Sequence, residues 1–253
     1  MRQLPDGCVD MILCDLPYGT TNNPWDVLIP FDELWEQYNR VAKPNAAIVL
    51  TAQTPFDKVL GMSNIKNLRY EWIWQKTKTT GFLNAKVAPL KEHENALVFY
   101  RKAPTYNPQM RTGFKPYSSE KDLTGVETST NYGKQKGVIV TDNDGSRYPK
   151  SIIEFPHDVP SVHPTQKPVA LMEYFIKTYT NAGEVVMDNT MGSGSTGVAA
   201  MRCKRRFIGF EMNPEYFDIC RRRIEAASKG QLDPTTKEQP VFNKPQGKQR
   251  SLF

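Results

Sequence analysis

Val9-Asp10-Met11-Ile12-Leu13-Cys14 is a short, mostly apolar run that stops at Asp15-Leu16-Pro17-Tyr18-Gly19. A run of this length, bounded by turn residues, reads as a strand buried on both faces in a parallel sheet. Ligands of open α/β sheets gather at the carboxyl ends of strands, where the tetrapeptide falls. Asp15 offers a carboxylate there and Tyr18 an aromatic face. Pro17 fixes its own φ and pushes Leu16 towards extended geometry, so the backbone carbonyls point in a set direction. Carboxylate and carbonyl can both accept from one NH2 group while Tyr18 stacks on the ring that carries it. An ordinary strand-to-turn junction, where Asp and Pro are common, fits the same stretch.

The flanking pattern supports α/β architecture. Residues 20–30, with Asn22-Asn23-Pro24-Trp25-Asp26, read as a loop over the strand end. A helix is expected over 33–42, capped by Asp32, with Leu34, Trp35, Tyr38 and Val41 on one face and 43–45 ending it. A second buried strand over 46–51 completes a βαβ unit with a right-handed crossover. A helix over 55–62 follows. Strands over 70–75 and 95–100 are expected to pair antiparallel at one end of the sheet, with Trp72 and Trp74 as core or sheet-face residues. Further on, 169–179 is an amphipathic helix closed by Asn181-Ala182-Gly183, and 184–187 is a strand. A helix over 198–203, a strand over 206–210 and a helix over 214–227 complete the series.

The chain has 253 residues, enough for one large core with an insertion. No apolar run spans a bilayer and no signal-peptide pattern is visible, so a cytoplasmic protein with no membrane partner is expected. The four cysteines, Cys8, Cys14, Cys203 and Cys220, lack metal-ligand spacing and read as reduced and mostly buried. The net charge is +6, and residues 76–150 hold 13 Lys/Arg against 7 Asp/Glu, a surplus equal to that of the whole chain. A surplus confined to one segment suggests a polyanionic partner, although a solvated basic surface fits too. Residues 102–160 show little periodicity and interleave Tyr106, Phe114, Tyr117, Tyr132 and Tyr148 with basic residues. That pattern suits a nucleic-acid surface, with disorder the competing reading for 118–145. The tail from 228 is poor in apolar residues and expected to be loosely ordered.

A second motif lies between the strand over 184–187 and the helix that follows. Gly192-Ser193-Gly194 lets backbone approach a ligand closely, and the helix start offers free N–H groups. Glu211 ends the next strand, where an acid can take the two hydroxyls of a ribose. No Gly-Lys-Ser/Thr follows, which argues against a nucleoside triphosphate.

Asp15-Leu16-Pro17-Tyr18 resembles the acid-Pro-Pro-aromatic motif of DNA methyltransferases that act on exocyclic amines. The stretch from Asp188 to Thr196 resembles their Asp-Pro-Phe-X-Gly-Ser-Gly-Thr-Thr cofactor motif, and His163-Pro164-Thr165-Gln166-Lys167-Pro168 matches the segment preceding it. The order of motifs is that of the β group, and the resemblance covers about 1–103 and 161–227. It implies a Rossmann-like, mostly parallel sheet with an antiparallel edge and an inserted target-recognition segment. Residues 1–103 would be the catalytic half, 104–160 the insertion, 161–227 the cofactor half and 228–253 a flexible tail.

The resemblance also implies residue roles. Asp15 and the Leu16 carbonyl would accept the hydrogens of the target NH2, with Pro17 stiffening the motif and Tyr18 stacking on the extruded base. Asp188, Thr190, Gly192, Ser193, Gly194 and Thr196 would line the S-adenosyl-L-methionine pocket. Thr165 and Lys167 would lie near its methionyl end, and Glu211 would hold its ribose.

Three departures stand out. Leu16 replaces a proline. Asn189 and Met191 replace proline and phenylalanine, so contacts from a phenylalanine ring are expected to be lost. A short Gly-Asp strand that usually precedes the first strand is missing before Val9, which implies an incomplete adenine side to the pocket.

The implied partner is double-stranded DNA with the base flipped out, either by a single copy or by a homodimer. The leading aspartate leans towards adenine N6. Cytosine N4, a protein-glutamine methyltransferase with its cofactor motif first, and a catalytically dead DNA-binding relative are the rival readings.

Overall fold

The computed structural model describes residues 1–21, 23, 26–122, 137–159, 165–231 and 233–234. Asn22, Pro24, Trp25, Tyr132, His163, Pro164 and most of the tail, for which the sequence raised expectations, lie outside the described residues. The described residues fall into two compact units, one within 1–107 and 150–234 and one within 108–149.

The larger unit is built on a seven-stranded sheet. Its elements begin with β1 (Val9–Asp15), α1 (Phe31–Val41), β2 (Ala42–Ala52), α2 (Phe56–Ser63), β3 (Leu68–Thr80) and β4 (Lys91–Phe99). The smaller unit contributes β5 (Tyr117–Asp122) and β6 (Val138–Asn143). The larger unit resumes with β7 (Ile152–Phe155), α3 (Val169–Tyr179), β8 (Val185–Asp188), α4 (Ser195–Arg202), β9 (Arg206–Gly209) and α5 (Pro214–Ser228). The strand order is β7-β3-β4-β2-β1-β8-β9. β1 runs parallel to both neighbours, β8 is parallel to β9, and β4 is antiparallel to β2 and β3.

Side-chain alternation explains why β1 sits near the centre. Met11 and Leu13 face one core with Leu171, Phe175 and Ile176 of α3 and Val198 of α4. Ile12 and Cys14 face the other with Leu34, Trp35, Tyr38 and Val41 of α1. Both faces of the strand are therefore covered, as its unbroken apolar run requires. The architecture is the Rossmann-like one that the resemblance implies.

Several expectations need correction. Asp32 does not cap α1: Pro30 takes that position, its carbonyl accepting from the Leu34 N–H at 3.0 Å. Asp32 lies in the first turn instead, where a negative charge suits the helix dipole. Residues 43–45 do not form a separate stop. The chain enters β2 directly, and a shift in pairing between Val9 and Met11 absorbs the Pro44 region. α4 begins at Ser195, earlier than the apolar pattern indicated, because Ser195 and Thr196 are buried within its first turn. α3 ends at Tyr179 with Thr180 extended, and Gly183, at φ +82°, turns the chain towards β8.

Residues 102–160 are not irregular throughout. β7 joins the main sheet parallel to β3, and β5 pairs antiparallel with β6 within 118–145. In the smaller unit, Phe114 lies between the guanidinium groups of Arg111 and Arg147, at 5.2 and 5.3 Å, and Arg147 also covers Tyr117 at 4.8 Å. Those aromatics and cations are paired within the unit by cation–π contacts. All four cysteines are free, and Cys14, Cys203 and Cys220 are buried.

β3 is fastened to α3 by a polar contact inside the core. The Tyr179 hydroxyl accepts from the buried Trp72 indole N–H at 2.7 Å and shares a hydrogen bond with Tyr70 at 2.9 Å. Tyr179→Phe would leave the indole N–H buried without an acceptor, a loss of about 1–3 kcal/mol. Urea unfolding should show that loss with an unchanged m-value.

Candidate active site

β1 and β8 lie side by side, with Met11 opposite Val186 and Ile12 opposite Met187. Their carboxyl ends deliver Asp15 and Asp188 to one cavity of about 820 Å³. Asp15, Leu16, Pro17, Tyr18, Thr165, Lys167, Asp188, Thr190, Gly192, Ser193, Thr196 and Glu211 all line it. Of the thirteen candidate residues read from the sequence, Gly194 alone is not in that lining. It packs against Cys220, where an added Cβ would lie 2.6 Å from the Cys220 Cβ, and its φ is +82°.

On the β1 side the Asp15 carboxylate is held at both oxygens. Oδ1 accepts from the Tyr18 hydroxyl at 2.6 Å and the Thr51 hydroxyl at 2.5 Å. Oδ2 accepts from the Lys167 ammonium at 2.6 Å. The resemblance puts Lys167 near the methionyl end of the cofactor, whereas here its ammonium lies on the catalytic-motif acid. It also faces Glu94 at 3.3 Å, and Glu94 pairs with Lys76 at 2.6 Å. Lys76, Glu94 and Lys167 are all buried. Burial works against the charged form of Lys167, yet Asp15 and Glu94 hold its pKa above the ordinary lysine value. Burial likewise opposes the Glu94 carboxylate, and Lys167 and Lys76 hold its pKa below the usual range.

Tyr18 is stacked on Phe56, with ring centroids 4.9 Å apart. Burial first, then the charges of Asp15 and Glu94, push its phenol pKa well up, so it acts as a hydroxyl donor. The loop after it is tied down by Asp26, whose carboxylate accepts from the backbone N–H groups of Gly19, Thr20 and Thr21 at 2.7–2.9 Å. On the far side, Asp158 accepts from the Gln166 side chain and the Val169 N–H, which fixes the chain on either side of Lys167.

On the β8 side the Thr190 hydroxyl donates to the Asp15 carbonyl at 2.9 Å, and the Thr190 N–H donates to Asp188 at 3.0 Å. Glu211 accepts from the N–H groups of Gly192 at 2.9 Å and Asn213 at 2.8 Å, so it braces the glycine turn as well as facing the cavity. The Ser195 hydroxyl is buried on the cavity wall without a hydrogen-bond partner among the described residues. Arg223 supports the turn from below by donating to the Ser193 carbonyl at 2.6 Å.

A family model described as DNA methylase, covering N6 and N4 methyltransferases, matches residues 9–222. This chain belongs to that DNA methylase family. The type II methyltransferase M2.DpnII of Streptococcus pneumoniae is 29% identical over 86% of this chain and 83% of its own length. The DNA adenine methyltransferase YhdJ of Escherichia coli (strain K12) is 28% identical over 90% and 80%. Among solved structures, the PvuII cytosine-N4-specific DNA methyltransferase shares the fold at a TM-score of 0.62, with 16% identity over 93% of this chain and 84% of that one. The M1.HpyAVI complex with S-adenosylmethionine does so at 0.57, with 24% identity over 88% and 90%. The family is S-adenosyl-L-methionine-dependent.

For this DNA methylase family member, the sequence reading missed Thr51, Phe56, Lys76, Glu94 and Asp158. Thr51 could have been found, because it closes the strand expected over 46–51, and it lies directly opposite Asp15. Glu94 carried a weaker signal, as an acid just ahead of the apolar run over 96–99 of β4.

Desolvation pushes the Asp188 carboxyl from 3.8 up to about 6. A folded pKa above the unfolded one favours the native state most below pH 3.8, and that contribution is lost as pH rises through 6. Asp188→Asn removes the dependence. Between pH 4 and pH 7.5 the stability of this variant, relative to the parent, should rise by roughly 2–3 kcal/mol in paired urea titrations. An unchanged difference would mean that Asp188 ionises as readily folded as unfolded.

Proposed function

We propose that this DNA methylase is a site-specific DNA methyltransferase that moves a methyl group from S-adenosyl-L-methionine to the exocyclic N6 of a flipped-out adenine. The observation that carries the reading is the shared cavity, with the braced Asp15 on one wall and the glycine turn with Glu211 on the other. The leading aspartate and the adenine methyltransferase among the relatives favour adenine over cytosine. By the names of its relatives, the protein is read as the modification half of a restriction–modification pair.

The residues on the β8 side fit S-adenosylmethionine. The unpartnered Ser195 hydroxyl, the start of α4 and the close backbone at Gly192 suit a polar ligand that needs donors. Glu211 would take ribose hydroxyls, with Asp188, Ser193, Gly194 and Thr196 shaping the turn around it. The cofactor supplies an electrophilic methyl when bound.

The protein's task is to hold an amine whose lone pair is delocalised into its ring. A carboxylate offers about four acceptor positions. Tyr18, Thr51 and Lys167 use three of them, which leaves Asp15 one position for a hydrogen of the target amine. The Leu16 carbonyl would take the other hydrogen. Acceptors fixed in this way stabilise positive charge as it develops on nitrogen. Thr190, bonded to the Asp15 carbonyl, keeps the two walls in register, which is a positioning contribution. Residues 104–160 are read as the target-recognition segment, with β7 serving the main sheet.

Methylated DNA digested to nucleosides should contain N6-methyladenine. N4-methylcytosine in its place would move the specificity to the rival base. Asp15→Ala should abolish transfer and leave cofactor affinity within about threefold, since Lys167 retains Glu94 as its partner. Glu211→Ala should weaken cofactor binding by about tenfold or more in calorimetry, through loss of a charge-assisted pair of hydrogen bonds. Unchanged affinity in the second variant would place the ribose elsewhere.

A further inference from the structure

The β3–β4 hairpin extends beyond the sheet as an arm, pairing Thr80 with Lys91. Gly81, at φ +90°, turns the chain into a short 3-10 turn over Phe82–Asn84. Apolar side chains crowd this tip and none is covered: Phe82 is 66% exposed, Leu83 fully exposed and Val87 86% exposed. The arm is also basic. Lys78, Lys86 and Lys91 are exposed along it, and Glu92 is the single acid between 77 and 93. Its root reaches the cavity: Lys76, Thr80 and Glu94 line the wall, and Lys91 bonds Gln53, another lining residue, at 3.3 Å.

An apolar tip on a basic arm beside a cavity that receives a base suits one partner in particular. Lysines match phosphates, and apolar side chains match the face of a base exposed when its neighbour leaves the stack. A protein partner would use the apolar tip but has no need of an almost acid-free arm. We infer that Phe82 and Leu83 form a wedge that enters duplex DNA beside the target and fills the space the extruded base vacates. The inference rests on the reading of the chain as a DNA methyltransferase and adds to it the element that opens the duplex. The arm lies outside 104–160, so opening and target recognition would be separate tasks.

The test uses the full chain and a duplex bearing its modification site, first located by modification-aware sequencing of DNA from expressing cells. A second duplex carries an abasic position opposite the target, so that little work is needed to extrude the base. Phe82→Ser with Leu83→Ser changes exposed side chains only, and cofactor binding confirms the fold. The double variant should lose about tenfold or more in rate on the intact duplex and stay within about twofold of the parent on the abasic one. An unchanged rate on the intact duplex overturns the wedge, whether or not the variant has lost affinity for a protein or a lipid vesicle. Equal losses on both duplexes overturn it as well, because they report general binding. A parent protein inactive on both would instead remove the methyltransferase reading on which the wedge rests.

Discussion

The parallel pairing of β1 with β8 is the contact on which the site depends. The two strands are far apart in the chain, yet their carboxyl ends form one cavity wall. Backbone pairing covers only two residue pairs, and side chains extend it. Asp10 accepts from the Val185 N–H at 2.9 Å near the start of both strands. At the other end Cys14 donates to Asn189 at 3.1 Å, and Thr190 donates to the Asp15 carbonyl. A slip of one residue would turn each strand's side chains to the wrong face, so these ties and the two apolar cores select the same register.

Charge is the second constraint. Asp15, Lys167, Glu94 and Lys76 form a row of alternating sign that is largely withdrawn from water. Desolvation offsets much of the attraction in such a row, which makes it a weak source of stability. Its effect is on placement. Lys167 has two anions within reach, so it keeps a partner when Asp15 turns an acceptor position to another group. Trp74 lies beneath Lys76 at 5.4 Å and meets His157 edge-on at 5.0 Å, which encloses the row on the β3 side.

Most elements of the larger unit were legible because their apolar periodicity serves one core or the other. α3 matches its expected span, β1 runs one residue longer than expected, and β8 is shifted by one residue at each end. Elements with weak patterns were not legible. β7 is four residues long with no buried position, and its place beside β3 follows from tertiary pairing alone. β5 is wholly exposed and polar, so nothing in its sequence marks a strand. The candidate site divides in the same way. Residues inside short motifs could be found, whereas Glu94 acts through a contact between segments far apart in the chain, and Asp158 through contacts 8 and 11 residues on that no motif marks.

The substitutions in the glycine turn show how the fold replaces one source of rigidity with another. Proline at 189 would stiffen the backbone; asparagine instead accepts from the Tyr38 hydroxyl at 2.5 Å and from Cys14. The turn is thereby fastened to α1 and β1 by side chains. Met191 lines the cavity with a flexible thioether where the resemblance has a phenylalanine ring. It is buried, with its sulfur 3.8 Å from that of Cys220 and so close beneath Gly209 that a Cβ there would clash. Its N–H donates to the Phe210 carbonyl at 3.1 Å. Aromatic surface on this wall comes from Phe210 and Tyr216 instead. The departures that looked like losses in the sequence are therefore accompanied by contacts from α1, β9 and α5, and the turn stays anchored where Glu211 and Asp188 need it.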